Sequence, residues 1–214
     1  MGLAETQRLL ARLYTDARVR DAFFQNPAAV AAEFSIPAPA AAQLAQLHLC
    51  EITRFARALQ NKRCGDLAKL LPHTRRALGR EFTTRFLAWS ESTAPATSHR
   101  SLDDARQFAA QLLAPDAAQT QLPPWLLALV RYESAALQAG ASRRCFVLRW
   151  FPWSIADLQK CARSPRQRAK LRRRPGFCFW WRLTATACLR FFSFALPPLP
   201  ERPAKSARTR RRTR

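Results

Sequence analysis

The chain is poor in the residues that most catalytic and cofactor-binding loops require. Only five glycines occur in 214 residues, and none forms a Walker loop or a G-x-G-x-x-G turn that would cradle phosphates through backbone N–H groups. There is no G-x-S-x-G elbow, so no nucleophilic triad is signalled locally. The six cysteines, Cys50, Cys64, Cys145, Cys161, Cys178 and Cys188, contain no C-x-x-C pair, and the three histidines, His48, His73 and His99, are scattered. That spacing excludes a zinc ribbon or a c-type haem site, and His48 with Cys50 reads as a chance pair. No metal, cofactor or catalytic residue is expected. Long apolar runs are also missing: Trp125–Val130 and Phe177–Trp181 are far too short to cross a bilayer. The first residues lack a basic segment followed by an apolar one, so no export signal is read. The expectation is a cytoplasmic protein with reduced cysteines, most of them small core residues.

Acidic residues are the other shortage. There are 14 against 36 Lys and Arg, a formal charge of +22. The imbalance is local. Residues 1–140 hold 16 basic and 12 acidic side chains, whereas residues 141–214 hold 20 basic ones against only Asp157 and Glu201. The first part reads as an ordinary helical domain and the second as an anion binder. The competing reading is compositional, because 31 of the 36 basic residues are Arg. The 48% apolar content is enough to fill a core.

Apolar periodicity sets out the elements. Helices are expected over about 5–14, over 17–25 with Asp16 as its cap, from Asn26-Pro27 through Phe34, over 38–48, and over 51–63 until Gly65 interrupts. The clearest stripe, Leu78, Phe82, Phe86 and Trp89, predicts one helix over 73–91. Ser101 is expected to cap a helix over 102–113, with Asp103 and Asp104 serving the helix dipole. A last helix over 125–138 is expected to stop at Gly140. Beyond it, Arg143–Phe151 reads as a strand buried on both sides, or a helix start, with the strand favoured by its aromatic and β-branched content. A short helix from Ser154 and a basic run, Arg163–Arg174, follow. Phe177–Leu183 and Leu189–Phe194 read as two strands, paired as a hairpin through Thr184–Ala187. The fold class is therefore α+β: a helical domain over 1–140, a small basic antiparallel β-containing region over 141–195, and a disordered Pro/Arg-rich tail over 196–214.

The candidate binding surface lies in that basic region. Arg alternates with aromatics at Arg149-Trp150, Trp181-Arg182 and Arg190-Phe191, and Lys170, Arg172, Arg173 and Arg174 form a cluster. Aromatics stack bases and Arg meets phosphates, which would suit single-stranded nucleic acid. The plainer reading puts the aromatics in the core of a small sheet with Arg facing water. Pro197–Arg202 matches a polyproline recognition pattern.

The stretches Leu10–Asp16, Arg20–Ala31, Phe55–Arg63 and Lys69–Gly79, with Phe179–Arg182 and Leu189–Phe191 further on, resemble an uncharacterised bacterial family represented by hypothetical proteins of Streptomyces and relatives. Pro72–Gly79, Leu102–Leu113 and Leu122–Glu133 are similar to the HvfC/BufC-type family, once labelled a DNA-binding domain. The second resemblance implies a non-enzymatic partner of a multinuclear iron oxidase that modifies ribosomal peptides. The shared motifs are structural, so no catalytic residue is carried over, and Thr184–Ala187 stands where a Gly-containing basic turn is expected. A protein or peptide partner is the first functional expectation; nucleic-acid binding through the basic region is the alternative.

Overall fold

The computed structural model describes residues 3–92, 100–114, 122–141, 146–182 and 189–197. Residues 198–214 of the C-terminal tail, which hold all but Pro197 of the polyproline pattern, and the loop through Thr184–Ala187 lie outside the described residues.

Four short helices open the chain: α1 (Leu3–Thr15), α2 (Ala17–Gln25), α3 (Pro27–Glu33) and α4 (Ala38–Leu44). Their boundaries are local chemistry. Asp16 accepts from the Arg18 and Val19 N–H groups at 3.0 and 3.3 Å, and Asn26 accepts from Ala29 N–H at 3.1 Å with Pro27 behind it, so each side chain serves an orphan donor of a first turn. Leu9, Leu13, Phe23, Val30 and Ile36 close around Ile52 of the next helix as one apolar cluster.

The second, larger cluster holds the rest. Helix α5 (Leu49–Leu70) runs unbroken through Gly65, followed by α6 (Pro72–Leu78), α7 (Arg80–Ser92), α8 (Arg100–Leu113) and α9 (Pro124–Ala141). Two expectations are corrected here. Gly65 does not interrupt α5, because Cys64 and Leu67 are buried beside it and tertiary packing outweighs a glycine penalty of about 1 kcal/mol. The stripe over 73–91 is two helices, not one. Gly79 breaks it at φ 59°, ψ −123°, a conformation that L side chains rarely adopt. Leu78, Phe82 and Phe86 nevertheless enter the same core on either side of the break. Helix α9 closes at Ala141, one residue past the stop expected at Gly140.

Strand β1 (Phe146–Phe151), α10 (Ile155–Arg163), α11 (Pro165–Arg168), β2 (Gly176–Arg182) and β3 (Leu189–Ala195) complete the α+β layout. The strands form one antiparallel sheet in the order β1-β2-β3. Its register pairs Leu148 with Phe179 and Phe179 with Phe192. Phe151, Cys178 and Trp180 of the sheet, with Ile155, Leu158 and Ala162 of α10, join Leu126, Leu129 and Val130 of α9 in one buried cluster. The β-containing segment thus shares its core with α5–α9. Leu196 N–H donates to the Pro175 carbonyl at 2.8 Å, tying the chain beyond β3 back to the start of β2.

Gly176 is required by this sheet. A Cβ there would stand 2.6 Å from the Phe194 carbonyl oxygen and 3.4 Å from Ala195 Cα. Gly176→Ala is expected to push β3 away from β2 and cost about 1–3 kcal/mol. Urea melts would read the loss, and an unchanged midpoint would contradict the register.

A candidate docking face on the sheet

Successive side chains of a strand point to opposite faces, and residues paired across strands share a face. The inner face carries Val147, Trp180 and Phe191 in one row, then Arg149, Cys178 and Ser193, then Phe151, Gly176 and Ala195. Tyr132 of α9 packs on it, with ring centroids 6.1 Å from Phe151, 6.0 Å from Trp180 and 5.8 Å from Phe191. Burial pushes the Tyr132 phenol and the Cys178 thiol each up to about 12. Both therefore stay protonated near neutral pH, as packed side chains do.

The outer face is the unusual one. Its rows are Phe146, Trp181 and Arg190; Leu148, Phe179 and Phe192; Trp150, Phe177 and Phe194. Eight of these nine positions are apolar, and Arg190 is the ninth. Phe179 sits at the centre, 6.0 Å from Phe146, 5.1 Å from Trp181 and 5.3 Å from Phe192 between centroids. Trp150 is 57% exposed, Phe146 56% and Phe194 55%. The expectation that β1 is buried on both sides is therefore corrected: Phe146, Leu148 and Trp150 face outward uncovered by any described element. Among the described residues these side chains pack chiefly on one another, and an open apolar patch of this kind is a candidate interaction surface.

The residues singled out by sequence separate into different places. Trp150, Trp181 and Arg190 stand together on the outer face. Arg149 is on the opposite side of β1, where its guanidinium donates to the Leu148 carbonyl at 3.1 Å. It borders a groove of about 440 Å³ between β1 and α9 that also meets Arg131, Ser134 and Trp150. Lys170, Arg172 and Arg174 lie elsewhere, around a smaller cavity beside α10 and α11. Arg173 turns away from that cavity and lies over the Trp153 ring at 5.5 Å. Arg182 falls at the end of β2. Sequence reasoning missed Phe146, Leu148, Phe177, Phe179, Phe192 and Phe194 as a surface. The available signal was aromatic content at both parities of three strands, more than one buried face uses.

Among the described residues no three His, Cys, Asp or Glu side chains converge as a metal site, and Cys50, Cys64, Cys161 and Cys178 are free thiols. No helix among the described residues is long and apolar enough to cross a membrane.

No curated protein and no solved structure matches the chain. One family model does, described as SCO6045-like, C-terminal domain, over residues 50–114. The match spans α5 to α8 and stops before the sheet, so it covers less than a third of the chain. It bears on the first of the two resemblances, not on the HvfC/BufC one: over α5–α8, this chain is similar to an uncharacterised family of the Streptomyces type.

Proposed function

We propose that the chain is a non-enzymatic accessory protein that docks an acidic protein or peptide partner on the outer face of its sheet. The observation that carries this reading is the nine-position outer face, eight positions apolar, presented outward on a sheet whose inner face is anchored in the core. Aromatic anchors and Arg are the side chains that dominate binding energy at protein interfaces. The partner is acidic by charge complementarity, since residues 141–214 hold 20 basic and two acidic side chains. A second copy is the poorer occupant, because apposed copies would bring two strongly basic regions together. Strand addition to the open edge of β1, beside the groove that Arg149 and Arg131 border, is a further mode open to a peptide partner.

The HvfC/BufC resemblance supplies the partner class. The proposed setting is cytoplasmic maturation of a ribosomal peptide, with a multinuclear iron oxidase as the enzyme and this chain as its accessory. The test is co-expression with an oxidase encoded beside it, purified at moderate salt after nuclease treatment. The wild-type chain co-purifies. Trp150→Ser with Phe192→Ser lowers the affinity by roughly 30-fold or more, while the unfolding free energy falls by no more than about 1–2 kcal/mol because both side chains are about half exposed. Absence of the oxidase, or capture indifferent to both substitutions, contradicts the reading.

Nucleic-acid binding remains the second reading, favoured by Arg190 and Trp181 side by side on an aromatic platform. The outer face counts against it. One cation among nine positions is few for tracking a phosphate backbone, which draws its affinity chiefly from Lys and Arg.

A further inference from the structure

The basic run after α11 does not spread its charge evenly. Lys170, Arg172 and Arg174 line a cavity of about 190 Å³, whereas Arg173 stacks on Trp153. A fourth cation arrives from a different element. Lys160 of α10 lines the same cavity, with Cys161, Gln167 and Leu171 completing its wall.

The cavity holds four cations and a single carboxylate, Asp157. That carboxylate is engaged only loosely with Lys160, at 3.4 Å. Among the described residues no acid pairs with Lys170, Arg172 or Arg174. The scaffold around them is fixed. Ile155, Leu158 and Ala162 bury α10 in the main core. Arg168 clamps α11 in place, donating to the Cys161 carbonyl at 3.3 Å and the Ala77 carbonyl at 3.2 Å while lying over the Trp125 ring at 5.1 Å. Cys161 Sγ adds a contact to the Gln167 carbonyl at 3.4 Å. A local charge excess of three, on exposed side chains gathered on a braced scaffold from two ends of a 15-residue stretch (Lys160 to Arg174), makes the cavity attractive to an anion.

We infer that this cavity is a binding site for a phosphoryl group. Lys point charges and Arg forks together suit a multiply charged oxyanion better than a single carboxylate. The size fits the same conclusion. At about 190 Å³ it lies below the roughly 300–1,000 Å³ of pockets that enclose a drug-sized ligand. It takes the phosphate and leaves the rest of the ligand outside. The phosphoryl group comes either from free phosphate or pyrophosphate or from the backbone of a nucleic acid strand. The site is separate from the sheet face and does not depend on the docking reading.

The test titrates inorganic phosphate, pyrophosphate and a short single-stranded oligonucleotide into the full chain by calorimetry at constant ionic strength. Four variants are compared: Lys160→Gln, Arg172→Gln, Arg174→Gln and, as the control, Arg173→Gln. Lys160→Gln, Arg172→Gln and Arg174→Gln each weaken binding by roughly tenfold, the loss of one charge-assisted contact, and Arg173→Gln leaves it unchanged. All four keep the wild-type melting midpoint. Pyrophosphate binding with that pattern assigns a small-molecule source, and binding of the oligonucleotide alone with the same pattern assigns a strand. Arg173→Gln weakening binding as much as its neighbours, Lys160→Gln having no effect, or no binding of any of the three probes overturns the site.

Discussion

Asp104→Ala is expected to destabilise the fold by about 3–5 kcal/mol, the cost of stripping one partner from a buried ion pair. Asp104 of α8 is 3% exposed at its side chain and faces Arg63 of α5, which is 15% exposed. The pairing is bidentate: Arg63 Nε donates to Asp104 Oδ2 at 2.9 Å and Nη2 donates to Oδ1 at 3.0 Å. The guanidinium also lies 5.9 Å from the Phe86 ring centroid and 6.0 Å from that of Trp89, so this cation sits among α5, α7 and α8. Removing the carboxylate leaves a charge with no anion in a place water scarcely reaches. Replacing both partners, Arg63→Met with Asp104→Leu, is expected to recover most of the loss, since a matched apolar pair needs no counter-charge. Urea denaturation at neutral pH reads both. A loss under about 1 kcal/mol for Asp104→Ala would mean the pair is not closed from solvent.

Glu133→Ala is the second large effect, expected at about 2–4 kcal/mol because buried donors would be left without an acceptor. Helix α6 begins at Pro72 with no side-chain cap of its own. Its first free donors are instead served by Glu133 of α9. His73 N–H donates at 2.7 Å, Thr74 N–H at 2.9 Å and the Thr74 hydroxyl at 2.6 Å. Glu133 is thus an N-cap supplied from 59–60 residues away, and it holds α6 against α9. Glu133→Gln, which retains an acceptor oxygen, loses less than Glu133→Ala. Burial raises the Glu133 carboxyl above its ordinary 4.5, outweighing the lowering effect of its hydrogen bonds with Thr74 and His73. A folded value above the unfolded one means that the folded chain binds this proton more readily between the two. The stability it contributes is full below the unfolded value, falls as pH rises through the folded value, and is level beyond it. Urea midpoints from acid to neutral pH would show that slope in the wild type and its absence in Glu133→Gln.

Both residues mark where sequence reasoning stops. Asp104 is legible as an acid in the first turn of a helix, and the dipole accounts for it completely until the structure places Arg63 beside it. Nothing in α6 announces Glu133, since its partner is distant in the chain. The elements themselves were largely legible, because Leu78, Phe82, Phe86 and the caps Asp16 and Asn26 act locally. Glycine misled in two places for opposite reasons: packing carries α5 through Gly65, whereas Gly79 lies where a left-handed φ breaks the stripe. The outer face was the least legible. When strands carry aromatics at both parities, alternation no longer says which side is buried, and the answer rests on Tyr132 of α9 choosing the face of Trp180 and Phe151. The cationic cavity had a related obstacle, because Lys160 joins the later run only once α10 and α11 are folded against each other.

The most direct measurement is hydroxyl-radical footprinting of the chain, free and bound to its nuclease-resistant partner. The account predicts protection of Phe146, Trp150, Phe192 and Phe194, with Trp180 and Phe151 of the inner face equally unreactive in both states. Protection absent from those four side chains and confined to the Lys160–Arg174 segment would contradict it, and would make the basic cavity the functional surface in place of the sheet.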